Sequence, residues 1–157
     1  MADIRPKTVI YTASGKWESG MLVNSAAGSF TDILTDMPES SGGTDMGPRP
    51  LDYILTSLIG CAGGTLSVLA KRSGFEYTGF TGEAQGILDL GGFLGVPGVS
   101  KHFTSVSAIF IVETDESKER VKEICSLVEE KCPVLNLLAD AGVKLEIEWK
   151  IADLEGA

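Results

Sequence analysis

The sequence predicts an α+β protein with a mainly antiparallel sheet. Three observations support this fold class: short β-rich segments lie on both sides of a long uncharged segment, two further helical segments follow them, and residues 143–150 alternate between apolar and polar side chains as a final strand. The order is strands, helix, strands, helices, strand. It differs from the regular βαβ alternation of a parallel sheet.

The first part of the chain predicts a meander of short strands. β-branched and apolar residues are concentrated in three segments, residues 8–13, 20–24 and 29–35. The pairs Ser14-Gly15 and Ala27-Gly28 are typical of turns between strands. Residues 37–50 are rich in Gly and Pro and predict a loop, and loops of this length often carry functional residues.

Residues 50–72 predict one long helix. Pro50 suits the first helical turn, where its missing N–H costs nothing, and Asp52 suits the positive end of the helix dipole. The basic pair Lys71-Arg72 complements the negative end, and Gly74 ends the helix. Residues 53–70 carry no charge, but Ser, Thr and Gly interrupt them. We therefore expect a helix buried on all sides in a soluble protein rather than a membrane span.

The remaining segments predict, in chain order, strands at 75–91 and 99–113 around a Gly/Pro loop at 91–98, helices at 116–131 and 133–141, and a strand at 143–150. The strand at 99–113 becomes apolar on both faces, as a central strand does. The length of the chain fits one domain over residues 1–157.

The formal net charge of −9 argues against nucleic acid and anionic membranes as partners, because both require clustered Lys and Arg. Residues 1–7 are polar and lack the apolar stretch of a secretion signal, so we expect a cytoplasmic protein. The cysteine count of 3 is odd, which disfavours a secreted disulfide framework.

Two cysteines have informative settings. Cys132 precedes Pro133 at the start of a predicted helix, where backbone N–H groups and the helix dipole are expected to lower a thiol pKa. Cys61 lies among Gly60, Gly63 and Gly64, and glycines in a helix are explained if another backbone packs closely beside it. For each cysteine, the alternative is a small apolar residue with no reactive role.

The other candidates for chemistry are weaker. Cys125 lies on the apolar stripe of its helix and is expected in the core. No Cys-x-x-Cys or His-x-x-x-His pair predicts a metal site, and His102 is the single histidine. The sequence has no nucleophile elbow for Ser-His-Asp catalysis and no phosphate-binding Gly-Lys-Ser/Thr loop.

The sequence resembles the OsmC/Ohr family of osmotically inducible and organic hydroperoxide resistance proteins, in its OsmC-like branch. The resemblance covers nearly the whole chain. It depends on these motifs: Asp36-x-Pro38, Gly42-Gly43-x-Asp45-x-Gly47-Pro48-x-Pro50, the helix that reaches Gly60-Cys61, and the distal Cys132-Pro133-Val134.

The resemblance implies an intertwined homodimer in which an antiparallel sheet wraps long central helices and the active sites lie at the dimer interface. It implies a thiol peroxidase of stress defence in which Cys61 is the peroxidatic thiol and Cys132 the resolving thiol. The Cys61 sulfenic acid would condense with Cys132 to a disulfide, and an external dithiol would reduce it. No bound cofactor or metal is expected.

In the family an arginine and a glutamate assist the peroxidatic thiolate. Leu51 occupies the position of the glutamate of the Ohr branch, whereas Asp52 matches the acidic position of OsmC-like proteins. Lys16 is the best match for the arginine, and Arg49 is a second candidate cation. Asp52 precedes Cys61 by about 13 Å of helix and faces the opposite side, so it either caps the helix or meets Cys61 of a partner chain.

Two alternative functions remain open from the sequence. The first is a dimer of the same fold that binds a small ligand or senses redox state without useful catalysis, because the arginine–glutamate pair is altered. The second is a general or osmotic stress protein whose substrate is not a peroxide.

Overall fold

The computed structural model describes residues 8–152. The strands and α-helices in this part of the chain are β1 (Ala13–Ser19), β2 (Leu22–Ala27), β3 (Phe30–Thr35), α1 (Pro50–Ser73), β4 (Gly79–Ile87), α2 (Leu90–Phe93), β5 (Ser105–Glu113), α3 (Lys118–Lys131), α4 (Pro133–Asp140) and β6 (Lys144–Ala152), and a short 3-10 helix lies at Glu39–Ser41. The predicted α+β class with mainly antiparallel strands is confirmed. The chain divides after Tyr53 into two compact units; a single domain over residues 1–157 stays a prediction.

The first unit contains an antiparallel meander in the order β1-β2-β3. The prediction of a strand at residues 8–13 is wrong, because the first strand is Ala13–Ser19. Gly15 lies inside β1, opposite Ser25, and the turn comes at Gly20 with φ of 49°. All of β1 is exposed, so its mostly polar sequence carries no apolar alternation that would reveal the strand.

Asp36 organises the loop that leads to α1. Its carboxylate is almost fully buried and accepts hydrogen bonds from the backbone N–H groups of Met37, Thr44 and Met46 and from the Thr44 hydroxyl, at 2.6 to 3.2 Å. The Thr44 hydroxyl and these N–H groups lower the pKa of Asp36 to about 2. A Cβ atom at Gly43 would collide with the Met37 backbone, so this turn requires glycine.

The second unit contains the sheet β4-β5-β6. β4 and β5 are antiparallel, with Gly79 opposite Glu113, whereas β5 and β6 are parallel, with Ser105 opposite Lys144. β5 is therefore the central strand, as predicted, and its burial alternates along its whole length. The short helix α2 overlaps the start of the predicted loop at 91–98, so the loop prediction is wrong there.

α1 packs on one face of this sheet through a stripe of small and aliphatic residues. Leu58, Ala62, Leu66 and Ala70 recur every four residues and are 0 to 3% exposed. Burial of each leucine contributes about 1.5–3 kcal/mol. Close approach to the sheet is visible at Gly63, where a Cβ atom would lie 2.9 Å from the Phe80 ring.

The expectation that α1 is buried on all sides is wrong for the single chain. Ile54 and Val68 are 37% and 53% exposed, and Gly60 and Gly64 are also exposed. By length and composition α1 could cross a membrane, with a mean hydropathy of 1.6 over an 18-residue window, but a core helix of a soluble protein passes the same test. Its buried stripe against the sheet fits a core helix.

Candidate active site

Cys132 lies at a break between α3 and α4. Its backbone N–H donates to the Val128 carbonyl at 2.8 Å and so completes α3. Its backbone is extended, with φ of −70° and ψ of 115°, and Pro133 begins α4. This break follows from the sequence, because proline disfavours helical geometry in the residue before it and suits the first turn of the next helix.

Asn136 fixes the geometry of this break. Its side-chain amide donates to the backbone carbonyl groups of Glu129, Glu130 and Cys132 at 3.2, 3.1 and 2.9 Å. The Glu129 and Glu130 carbonyls lie in the last turn of α3, where intrahelical donors are absent, and the Cys132 carbonyl also accepts from the Asn136 backbone N–H at 3.1 Å. Asn136 therefore holds the end of α3 and the Cys132 backbone together from the first turn of α4.

The structure brings Cys61 and Cys132 together in the second unit. Cys61 is half-buried on α1, beside the stripe that packs on the sheet, and Cys132 is fully buried. The Cys61 side chain lies close enough to Cys132 for hydrogen bonding between the two thiols, and this proximity raises the pKa of the Cys132 thiol. Two thiols in this relation are placed for disulfide chemistry.

The expected fall in the pKa of Cys132 is wrong. Burial raises the pKa of the Cys132 thiol above its ordinary value, and hydrogen bonding and charge from Cys61 act in the same direction. The N–H groups of Leu135 and Val134 act to lower it, but the Cys132 side chain makes no capping hydrogen bond. Removal of the thiol from water therefore outweighs the dipole of a helix of 8 residues.

Cys125 is a core residue, as predicted. It is 4% exposed on the buried stripe of α3. Burial, with a smaller effect from the charge of Glu129, raises the pKa of the Cys125 thiol to about 12. A thiol with such a pKa carries almost no thiolate at neutral pH and is chemically inert.

Arg49 and Asp52 form a local pair at the start of α1. The Asp52 carboxylate accepts from Arg49 Nε at 2.9 Å, Arg49 Nη2 at 2.7 Å and the Arg49 backbone N–H at 3.0 Å. The side-chain hydrogen bond from Arg49 lowers the pKa of Asp52. Asp52 thus caps the helix, which is one of the two roles that the sequence left open.

Lys16 lies on β1 and forms an ion pair with Glu18 at 3.2 Å, with 79% of the Lys16 side chain exposed. Its assignment to the position of the family arginine stays a prediction. His102 Nδ1 is 2.8 Å from the Phe103 carbonyl, which fits a structural role. Among residues 8–152, no cluster of His, Cys, Asp and Glu side chains is arranged to hold a metal ion.

A cavity of about 440 Å³ adjoins Cys61. It is lined by Cys61, Thr65, Val68 and Arg72 of α1 and by Lys131 and Pro133 beside Cys132. The sequence predicts Arg72 only as a cation at the end of its helix, and it does not indicate Lys131 as a site residue. The signal was present in the spacing: Arg72 follows Cys61 by eleven residues, about three full turns, and so shares its face of the helix.

A family model described as OsmC-like protein matches residues 42–148. The match covers more than half of the chain, which therefore belongs to the OsmC-like protein family. The resemblance seen in the sequence is confirmed. No curated protein matches the chain.

Solved structures with this fold support the assignment. An OsmC like protein from Mycoplasma pneumoniae has a TM-score of 0.81 at 16% identity, over 94% of this chain and 100% of that chain. The organic hydroperoxide resistance protein OhrB of Bacillus subtilis has a TM-score of 0.61 at 20% identity, over 90% of this chain and 98% of that chain. An organic hydroperoxide resistance protein OsmC from Legionella pneumophila has 0.66 at 11% identity, over 94% and 100%. At these identities the likeness shows the fold.

Proposed function

We propose that this chain is a thiol-dependent hydroperoxide reductase of peroxide stress defence. The observation that supports this function is the direct interaction of the Cys61 and Cys132 side chains beside an accessible cavity. Fold neighbours named as organic hydroperoxide resistance proteins are consistent with it. Cys61 is the more accessible of the two thiols and is assigned as the peroxidatic group, and the buried Cys132 as the resolving group.

The reaction has three steps. The Cys61 thiolate attacks the outer oxygen of the hydroperoxide, and the O–O bond breaks. Cys61 becomes the sulfenic acid, and the leaving alkoxide takes a proton from water to become an alcohol. The Cys132 thiol then displaces hydroxide from that sulfur, which forms the Cys61–Cys132 disulfide and water. An external dithiol reduces the disulfide by exchange and is itself oxidised to a disulfide. No bound cofactor or metal takes part in this scheme.

The buried setting of Cys132 suits the second role. Its raised pKa keeps the thiol protonated and unreactive toward peroxide at neutral pH. A neutral sulfenic acid at Cys61 carries no charge that would oppose ionisation of Cys132. Condensation is therefore favoured after Cys61 has reacted, and oxidation of Cys132 before that is disfavoured.

The active unit is proposed to be a homodimer in the cytoplasm. The exposed face of α1 supports the dimer, because Gly60, Gly64 and Val68 leave small and apolar surface uncovered in one chain. Arg49, Asp52 and Lys16 remain candidates for groups that assist Cys61 across such an interface. The ordinary soluble composition and the net charge of −9 fit a cytoplasmic protein without nucleic acid or membrane partners.

The function is tested by stoichiometric oxidation. One equivalent of cumene hydroperoxide is added to fully reduced protein, and the products are mapped by mass analysis of non-reduced peptides. We expect a Cys61–Cys132 disulfide and loss of the peroxide on the same timescale, with reduction by added dithiothreitol. Cys125→Ala is the matched control and should form the same disulfide. Unreacted peroxide with three free thiols would overturn the proposal.

Single variants separate the two roles. Cys61→Ser should abolish peroxide consumption. Cys132→Ser should consume one equivalent of peroxide and then accumulate further oxidation at Cys61, because no thiol resolves the sulfenic acid. Full turnover by Cys61→Ser would exclude Cys61 as the peroxidatic group.

A ligand-binding or redox-sensing module is the second candidate function. The cavity beside Cys61 favours it, because Val68, Leu69 and Pro133 give it an apolar wall that suits a small molecule. This function predicts that peroxide is not turned over.

A further inference from the structure

The cavity beside Cys61 is lined by one uncharged hydrogen-bond donor besides the thiol. This donor is Thr65, which is half-buried and lies one helical turn after Cys61. The remaining side chains on the lining are apolar or charged. Of the two charged ones, Arg72 follows Cys61 by about 16 Å of helix, and Lys131 contacts the Glu130 carboxylate at 2.8 Å. Thr65 is therefore the side chain best placed to donate to a group bound at Cys61.

The hydroxyl of Thr65 has no hydrogen-bond partner within residues 8–152. A threonine inside a helix commonly donates to the backbone carbonyl four residues earlier, which here is the carbonyl of Cys61. Because that bond is not made, the hydroxyl is available to a ligand in the cavity. The branched side chain of threonine has few rotamers in a helix, so little freedom is lost when the hydroxyl donates.

The spacing between Cys61 and Thr65 fits a peroxide group. Residues four apart on a helix have Cβ atoms about 5–6 Å apart, and helical side chains tilt toward the N-terminus, so Thr65 leans over the turn that carries Cys61. In a reactive complex the outer peroxide oxygen lies about 3–3.5 Å from the sulfur. The inner oxygen, one bond further from the sulfur, then lies within reach of the Thr65 hydroxyl.

We propose that Thr65 is a catalytic residue that donates a hydrogen bond to the inner oxygen of the hydroperoxide. As the Cys61 sulfur bonds to the outer oxygen, the O–O bond breaks and its electron pair passes to the inner oxygen, which leaves as an alkoxide. The Thr65 hydroxyl stabilises this negative charge and keeps its own proton, and water supplies the proton that completes the alcohol. This inference rests on the proposed peroxidase function and adds to it a group that acts on the leaving oxygen.

The first experiment measures oxidation of Cys61 in a single turnover. Reduced protein is mixed with cumene hydroperoxide and quenched with acid at a series of times, and loss of the Cys61 thiol is followed by mass analysis of its peptide. Thr65→Val keeps the branched shape of the side chain but removes the hydroxyl. It should slow the oxidation by about tenfold, as expected when one hydrogen bond to a charged group is lost. Thr65→Ser keeps a hydroxyl and should restore most of the rate.

The second experiment changes the leaving group, which distinguishes this role from a structural one. Peracetic acid releases acetate, whose charge is spread over two oxygens and needs little help from a donor. Thr65→Val should therefore be oxidised by peracetic acid as fast as the wild type. Alkylation of Cys61 by iodoacetamide should also keep its rate, because no alkoxide leaves in that reaction. Equal slowing with cumene hydroperoxide, peracetic acid and iodoacetamide would show that Thr65 acts on the thiol or on the fold, and would overturn the inference.

The matched control is Ser67→Ala. Ser67 carries a hydroxyl two residues after Thr65 on the same helix, but it is exposed and lines a different cavity with Glu76 and Asp115. Its removal should leave the rates with all of these reagents unchanged, and slowing equal to that of Thr65→Val would refute the role of Thr65.

The wild type separates failure of this inference from failure of the proposed function. If neither peroxide oxidises Cys61 in the wild type, the peroxidase function fails and the role of Thr65 fails with it. If the wild type is oxidised by both and Thr65→Val matches its rate with each, the peroxidase function stands and only the role of Thr65 is refuted.

Discussion

The glycines of α1 provide a test of the proposed dimer. Gly60 and Gly64 are exposed, and a Cβ atom added at either would meet no other described atom within 4 Å. Gly63 differs, because its Cβ atom would lie 2.9 Å from the ring of Phe80. Alanine substitutions at these three positions therefore distinguish packing inside the chain from packing against a partner chain.

The magnitudes follow from helix propensity and packing. In an isolated chain, Gly60→Ala should raise the free energy of unfolding by about 1 kcal/mol, because alanine favours the helix and the added methyl group has open space. At an interface that needs close approach at Gly60, the same methyl group should cost about 1–3 kcal/mol. We expect Gly60→Ala to raise the dimer dissociation constant about tenfold, which corresponds to about 1.4 kcal/mol.

The assay combines sedimentation equilibrium with urea unfolding over a hundredfold range of protein concentration. The control is Gly63→Ala, which should be destabilising through a contact within the chain. The Phe80 ring is held by Phe110 at 5.7 Å and Trp149 at 6.3 Å between ring centroids, so it has little freedom to move. Gly63→Ala should give a net loss of about 0–2 kcal/mol at every concentration. A gain of stability by Gly60→Ala with an unchanged dimer would refute close packing at this face.

Three further predictions concern side chains that are buried or held by hydrogen bonds. The pKa of Cys125 is raised to about 12, so the contribution of its protonated thiol to folding is present below about pH 9 and is lost as the pH rises toward 12. In urea unfolding, the free energy of unfolding of the wild type should exceed that of Cys125→Ala by a constant amount from pH 6 to about 8.5. This difference should shrink by about 2 kcal/mol near pH 10.5. The pKa of Asp36 is lowered to about 2, so the stabilisation by its carboxylate is present above about pH 4 and is lost between about pH 4 and 2. The difference in free energy of unfolding between the wild type and Asp36→Asn should disappear in that pH range. A difference that stays constant would contradict the role of the charge. Asn136→Ala removes the side-chain donor to three carbonyls, so it should lower the free energy of unfolding by about 1–2 kcal/mol and slow formation of the Cys61–Cys132 disulfide. Unchanged kinetics of disulfide formation would show that Asn136 does not position Cys132.

The helices α1, α3 and α4 could be predicted from the sequence because their ends carry strong local signals. Pro50 and Pro133 mark helix starts, and an uncharged segment with basic residues at its end defines α1. The first strand could not be placed, because β1 is exposed throughout and its glycine lies in the strand rather than in a turn. The parallel pairing of β5 with β6 was also missed, since alternation along a strand does not encode the direction of its neighbour.

The site was predictable only in part. The family motifs, rather than spacing alone, indicated Cys61 and Cys132 as a pair. The sequence predicts the pKa of Cys132 in the wrong direction, because it shows the local helix dipole but not burial, which depends on residues distant in sequence. A cation at the end of a helix needs no further explanation, so the sequence does not indicate Arg72 as a site residue. The periodicity that places Arg72 on the same face of α1 as Cys61 becomes informative only when the cavity is known.

The parallel pairing of β5 and β6 has a consequence for the order in which the two thiols can meet. Parallel neighbours cannot be joined by a hairpin, so α3 and α4 form the crossover between them, and Cys132 lies in the middle of that crossover. Its position therefore depends on a strand at the C-terminal end of the described chain, and closure of such a long connection is slow. During synthesis, Cys61 leaves the ribosome well before Cys132 and the strand that completes its surroundings. If Cys61 has the proposed peroxidatic role, the nascent chain carries it without its proposed resolving partner in place until β6 docks, and Cys61 is open to irreversible oxidation at that stage.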